Sequence, residues 1–108
     1  MSDILVRVPQ KEIAHFWEPI FTDEIAWWTL PCQPVRCGKG DRIWFQIGDE
    51  VVARARISWI EHATKRCEST GRIWRGVHLG WSGGDLERLE VPREGKGLTR
   101  GFMYYEEE

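Results

Sequence analysis

Seven tryptophans in 108 residues, at positions 17, 27, 28, 44, 59, 74 and 81, are more than core packing needs. Tryptophan is large and its indole N–H wants a partner when buried, so part of such a set stays near the surface, where a flat ligand or a partner stacks on it. Trp27 and Trp28 are adjacent. On a short helix they point about 100° apart, so one packs inward and the other stays available as a platform, unless both cover the core. Arg36, Lys39, Arg42, Arg54 and Arg56 form a basic set that either meets phosphates or decorates a solvated edge. Cys32-x4-Cys37 and His62-x4-Cys67 together offer four donors that tetrahedral zinc accepts. Short zinc knuckles space their ligands more tightly, and here two loops must converge, so free thiols and an exposed His62 are the plainer reading. No Ser-His-Asp motif, phosphate loop or dinucleotide fingerprint is present, which leaves no cofactor implied. His15 and His78 have no evident carboxylate partner and read as structural or solvent-facing.

Composition narrows the classes. A chain of 108 residues with 42% hydrophobic and 30% charged side chains is expected to form one globular domain, with Glu106–Glu108 as an acidic tail. Ile25 to Val35 is the longest uncharged run and is broken by Pro31 and Pro34, and Met1-Ser2-Asp3 lacks the basic start of a secretory signal. No membrane partner and a cytoplasmic location are the expectations. Three cysteines, an odd number, argue against a disulfide framework. The net charge of −2 conceals an uneven distribution: residues 36–75 hold nine basic and five acidic side chains, or +4, between ends of −3 each. Such a basic centre is either a local binding face or a solubility device.

The elements that must position these residues are mostly strands. Ile4–Val8 reads as a strand ended by Pro9, and Ile13, Phe16, Trp17 and Ile20 then follow the spacing of an amphipathic helix. Thr22-Asp23-Glu24 resembles a cap and acidic first turn, which predicts a second short helix over 25–29. Pro31–Gly40 reads as a loop. Arg42–Ile47 and Val51–Ile60 then form a hairpin. A three-residue loop at 48–50 pairs Ile47 with Val51, Phe45 with Ala53 and Ile43 with Ala55, and sets Gln46 beside Val52, Trp44 beside Arg54 and Arg42 beside Arg56 on the other face. A two-residue loop would mix apolar and charged faces. Trp44 beside Arg54 is then either a cation–π contact of about 0.5–1 kcal/mol or a stacking site next to a phosphate contact. His62–Gly71 reads as a loop, Arg72–Trp81 as a strand, Ser82–Asp85 as a turn, Leu86–Val91 as a strand or helical turn, and Leu98–Tyr105 as a last strand. The sum is an α+β fold, a small barrel of five to six strands with one or two helices in the first third.

Two segments carry a resemblance. Lys39-Gly40-Asp41-Arg42-Ile43-Trp44-Phe45, with a glycine turn and Val51–Ile57, resembles the Gly-Asp-Arg-Ile hairpin of PUA-like barrels, in particular the ASCH and EVE branches. Gly95-Lys96-Gly97 with Arg100–Tyr105 is similar to their closing strand. The resemblance implies a PUA-like pseudo-β-barrel that binds RNA or a modified nucleobase in a cleft, with DNA as a further partner. Trp27, Trp28, Thr29 and Glu61 would border the cleft, and Arg36, Lys39, Arg54 and Arg56 would contact phosphates. One branch hydrolyses N4-acylated cytidine with a Lys-x-x-Thr motif and a later glutamate. Thr29 and Glu61 match two of those positions, but Ala26 stands where the lysine belongs, which argues against catalysis by that route. A third reading is a protein-interaction domain or homodimer whose exposed tryptophans anchor the interface.

Overall fold

The computed structural model describes residues 2–13, 16, 25–30, 36–66, 73–98 and 101–105. These residues build two β-sheets. The first has five strands in the order β7-β4-β3-β1-β8: β1 (Asp3–Arg7), β3 (Arg42–Ile47), β4 (Glu50–Arg56), β7 (Leu86–Glu94) and β8 (Phe102–Tyr105). The second has three, in the order β2-β6-β5: β2 (Ile25–Leu30), β5 (Trp59–Arg66) and β6 (Ile73–Ser82). β1 and β3 are parallel, so the chain between them must cross over, and it does so by way of β2 in the other sheet.

The expected α+β barrel of five to six strands is corrected on three counts. The fold is mostly β; its two sheets keep separate edges and do not close; and 25–29 is a strand, not a helix. Trp27-Trp28-Thr29 favours a pleated surface, and pairing along β6 from Ile25↔Ser82 to Leu30↔Val77 gives this short segment partners that no isolated six-residue helix has. The helix expected from Ile13 onward lies outside the described residues except at Ile13 and Phe16. His62–Arg66, expected as loop, continues β5 against Ile73–Val77.

One core joins the sheets. Ile4, Val6, Ile43, Phe45, Ala53, Ala55 and Leu86 of the first face Leu30, Val77, Leu79 and Trp81 of the second. Phe45 is its aromatic centre, with ring centroids of Phe16, Trp28 and Trp81 at 4.6, 5.7 and 5.1 Å. A smaller cluster of Leu5, Trp44, Val51, Leu98 and Tyr105 covers the other face of the five-stranded sheet.

The β3–β4 hairpin combines two features that the sequence sets in conflict. Its turn has two residues, Gly48 and Asp49, yet Phe45↔Ala53, Trp44↔Arg54, Ile43↔Ala55 and Arg42↔Arg56 keep the apolar and charged faces apart. The ladder shifts between Phe45 and Gln46, so Gln46 pairs with Val51 and Ile47 with Glu50, and Val52 is the extra residue of a bulge. Gly48, at φ +60°, makes the tight turn without strain. The bulge therefore corrects two expected pairings, Ile47/Val51 and Gln46/Val52, while the pairs from Phe45/Ala53 to Arg42/Arg56 keep the expected register, and it moves Val51 into the smaller cluster.

Beyond Arg56 the chain changes sheets. The Ile57 N–H donates to the Asp41 carbonyl at 2.9 Å, and the next N–H, on Ser58, donates to the Gly80 carbonyl at 2.8 Å. This corner places Arg56 and Trp59 three residues apart, on different sheets.

Candidate functional site

The outer face of the three-stranded sheet is built by alternation. In β2, Trp28 and Leu30 pack on the core, so Trp27 and Thr29 face outward. In β6, Val77, Leu79 and Trp81 are buried inward, which leaves His78 and Gly80 on the outer side with Gly76. The register then sets two rows across the strands: Trp27, Gly80 and Trp59 in one, and Thr29, His78 and Glu61 in the next.

Gly80 seats Trp59. A Cβ on Gly80 would fall 1.8 Å from Cε2 and 2.3 Å from Nε1 of that indole, so the ring lies where a side chain would be. Both Trp27 and Trp59 are half-buried. His78 is fully enclosed, with Nδ1 2.8 Å from Thr29 Oγ1 and the Trp27 ring edge-on at 6.4 Å. In the Nε2-protonated tautomer the hydroxyl donates to Nδ1; in the other it accepts. Glu61 is exposed on the far side of His78. The face thus offers aromatic surface beside a hydroxyl and an acceptor-only carboxylate, with the enclosed imidazole of His78 between them.

Several expected site residues come together here and others do not. Thr29 and Glu61 flank one histidine. Trp27, not Trp28, shares their face, because neighbours in a strand point 180° apart and Trp28 packs edge-on to Phe45. From the sequence, His78 reads as structural or solvent-facing. Its position between Thr29 and Glu61 depends on a register that links residues 49 apart, and no local pattern carries that information.

The basic residues divide. Arg42, Arg54 and Arg56 gather on the outer face of the five-stranded sheet, around a depression that Gly84, Asp85 and Glu87 also line. Trp44 is fully buried beneath them; its indole N–H donates to Asp3 Oδ2 at 2.9 Å, and the guanidiniums of Arg54 and Arg93 lie 5.2 and 5.0 Å from its ring centre. Its ring is thereby occupied by cations rather than left open to a base. Arg36 is elsewhere, with its guanidinium 4.0 Å over the Tyr104 ring, and Lys39 is exposed in the turn before β3.

Cys32 and Cys67 lie outside the described residues. Cys37 is a buried free thiol whose pKa is pushed up to about 12, first by burial and then by Asp41 and Asp3, and His62 is exposed on β5. Among the described residues no group of three or more His, Cys, Asp or Glu is placed to hold a metal, and no helix is long and apolar enough to cross a membrane. No protein-family model, curated protein or solved structure matches the chain.

Proposed function

We propose that the outer face of β2-β6-β5 binds a planar nitrogenous ring, a nucleobase carried by a nucleoside or by single-stranded RNA. The observation that carries this reading is the pair of adjacent rows: half-exposed Trp27 and Trp59 on either side of Gly80, next to Thr29, His78 and Glu61. Every base has a π face, and stacking contributes about 1–3 kcal/mol per base. Glu61 accepts only, so it selects a base edge that presents an amino group, while Thr29 adapts as donor or acceptor.

Intrinsic fluorescence titrated with nucleosides and with short single-stranded RNA and DNA tests this directly. Quenching is expected, with affinity falling about 5- to 150-fold in Trp27→Ala, the equivalent of one stacked base. An unchanged dissociation constant in that variant, or silence across the panel, refutes the reading, and a dimer in solution would then favour the protein-interaction alternative.

The 2.8 Å contact between Thr29 Oγ1 and His78 Nδ1 favours a second reading, hydrolysis of an acyl group on the bound base. His78 would take the hydroxyl proton as Thr29 attacks the carbonyl carbon, return it to the departing amine, and let water release the acyl group from Thr29. Turnover of an acylated cytidine, abolished in Thr29→Val and reduced in Glu61→Gln, is its signature. No turnover above background excludes it.

A further inference from the structure

Among the described residues the two sheets end on four edge strands, and one is unlike the rest. β5 carries Glu61, His62, Lys65 and Arg66, β7 carries Pro92 and a broken ladder to β4, and β8 is only four residues long. Charge, proline, irregularity and shortness each discourage a sheet edge from pairing with another chain. β2 has none of these. Ile25–Leu30 is uncharged and holds no proline, and its ladder to β6 runs unbroken from Ile25↔Ser82 to Leu30↔Val77.

Backbone direction decides what this edge offers. The Gly80 carbonyl accepts from the Ser58 N–H, so Gly80 turns its backbone groups toward β5 and away from Trp27, its neighbour in register. The Leu30 carbonyl faces β6, where it would lie 2.5 Å from a Cβ on Gly76. Backbone groups alternate in direction along a strand. Ala26, Trp28 and Leu30 therefore bond to β6, while Ile25, Trp27 and Thr29 each direct an N–H and a C=O to the outer side of the edge. Trp27 and Trp28, both half-buried, flank these groups on opposite faces of the sheet.

We propose that β2 is the docking edge for a second copy of this chain, paired antiparallel about a two-fold axis at Trp27. Of the two-fold registers, only this one engages all the outward residues of both copies. Trp27 pairs with the partner's Trp27, and Ile25 with the partner's Thr29, each pair exchanging two hydrogen bonds. Between them Ala26 stands across from the partner's Trp28, the smallest residue of the strand against one of the two largest. The occupant must be an uncharged strand, apolar on both faces and bulky where this one is small, and β2 itself meets that description. The result is a continuous six-stranded sheet with both outer faces on one side, and with indoles at the centre of the interface, where they anchor contacts best. The pairing leaves the row of Trp27, Gly80 and Trp59 facing outward and does not rest on base binding.

The test is sedimentation velocity of the full chain over a concentration series, with folding of each variant checked by circular dichroism. A dimer that dissociates on dilution is expected. Trp27→Lys and Trp27→Glu each set like charges opposite one another at the axis and should raise the dissociation constant at least tenfold. An equimolar mixture of those two variants should dimerise again, which neither a misfolded chain nor an interface elsewhere would do. In a Cys32→Ser/Cys67→Ser background, Trp27→Cys should oxidise to a covalent dimer and Thr29→Cys should not. The two copies of residue 27 would lie about 5.5 Å apart at Cα, within disulfide reach, and those of residue 29 about 14 Å apart. A chain that is still monomeric at about 1 mM overturns the proposal, even if it takes up an added apolar peptide at this edge. So does a dimer that Trp27→Lys leaves intact, or a mixture of the two charged variants that fails to associate.

Discussion

Replacing Gly80 with alanine probes the seat of Trp59 and the platform at once. The three atoms nearest to the new Cβ would all belong to that indole, at 1.8, 2.1 and 2.3 Å, distances no real Cβ tolerates. Trp59 must therefore move. Overpacking of this kind costs about 1–3 kcal/mol, and each kcal/mol lowers the melting temperature of a domain of this size by about 4–8 °C. Trp59→Ala removes the obstacle. In that background Gly80→Ala is expected to be neutral or to stabilise by up to about 1 kcal/mol, because alanine loses less backbone freedom than glycine in a strand. Urea unfolding of the wild type, both single variants and the double variant closes the cycle, and a coupling of at least about 1 kcal/mol is expected. Additivity within about 0.5 kcal/mol would mean that Trp59 does not rest on Gly80. Nucleoside titration of Gly80→Ala should show weakened binding alongside the stability loss, since the ring that forms half of the platform is displaced.

Gln46 is buried on the outer face of the five-stranded sheet and clamps the segment after β7: Nε2 donates to the Gly48 and Lys96 carbonyls, and Oε1 accepts from the Lys96 N–H. Gln46→Leu should cost about 1–3 kcal/mol through the unpaired backbone groups, with faster tryptic cleavage after Lys96; a loss under about 0.5 kcal/mol would show that the clamp is idle. Cys37 binds its proton more tightly in the folded chain, up to about 12, than in the unfolded one. Its contribution to stability is therefore complete at and below neutral pH and is lost as pH climbs from about 9 toward 12. In a Cys32→Ser/Cys67→Ser background, thiol labelling at pH 8 should be as slow as unfolding, and labelling at the rate of a free cysteine would contradict the burial.

The hairpin shows how far local pattern reaches. Alternation along Arg42–Ile47 and Val51–Arg56 was enough to set four cross-strand pairs, because a one-residue slip would bring arginines into the core. What the pattern lacked was the bulge at Val52, which allows a two-residue turn and the correct faces together. Over 25–29 local signals conflict: a cap-like Thr22-Asp23-Glu24 points to a helix and Trp27-Trp28-Thr29 to a strand, and only the partner strand Val77–Ser82 decides between the two. The polar run His62–Arg66 likewise has the composition of a loop yet forms strand, since an edge strand needs little hydrophobicity once a long neighbour such as β6 supplies its ladder. Thr29 and Glu61 of the candidate site are positions that the resemblance also names, while the choice of Trp27 over Trp28 follows from strand alternation, which a helix over 25–29 does not carry.

The sequence alone determined which residues have chemistry to offer: an excess of indoles, a basic centre, and the alternating hydrophobic runs that must be buried. Those properties belong to side chains and to neighbours two to four positions apart, where periodicity acts. Tertiary structure decided which of them meet. Register between β2, β6 and β5 places Thr29 and Glu61 on either side of His78, and the corner at Ile57–Ser58 turns one continuous basic stretch into an arginine depression on one sheet and an aromatic face on the other. Such juxtapositions depend on backbone hydrogen bonds between distant segments, which carry no residue-specific signature and are chosen by the burial of the whole core.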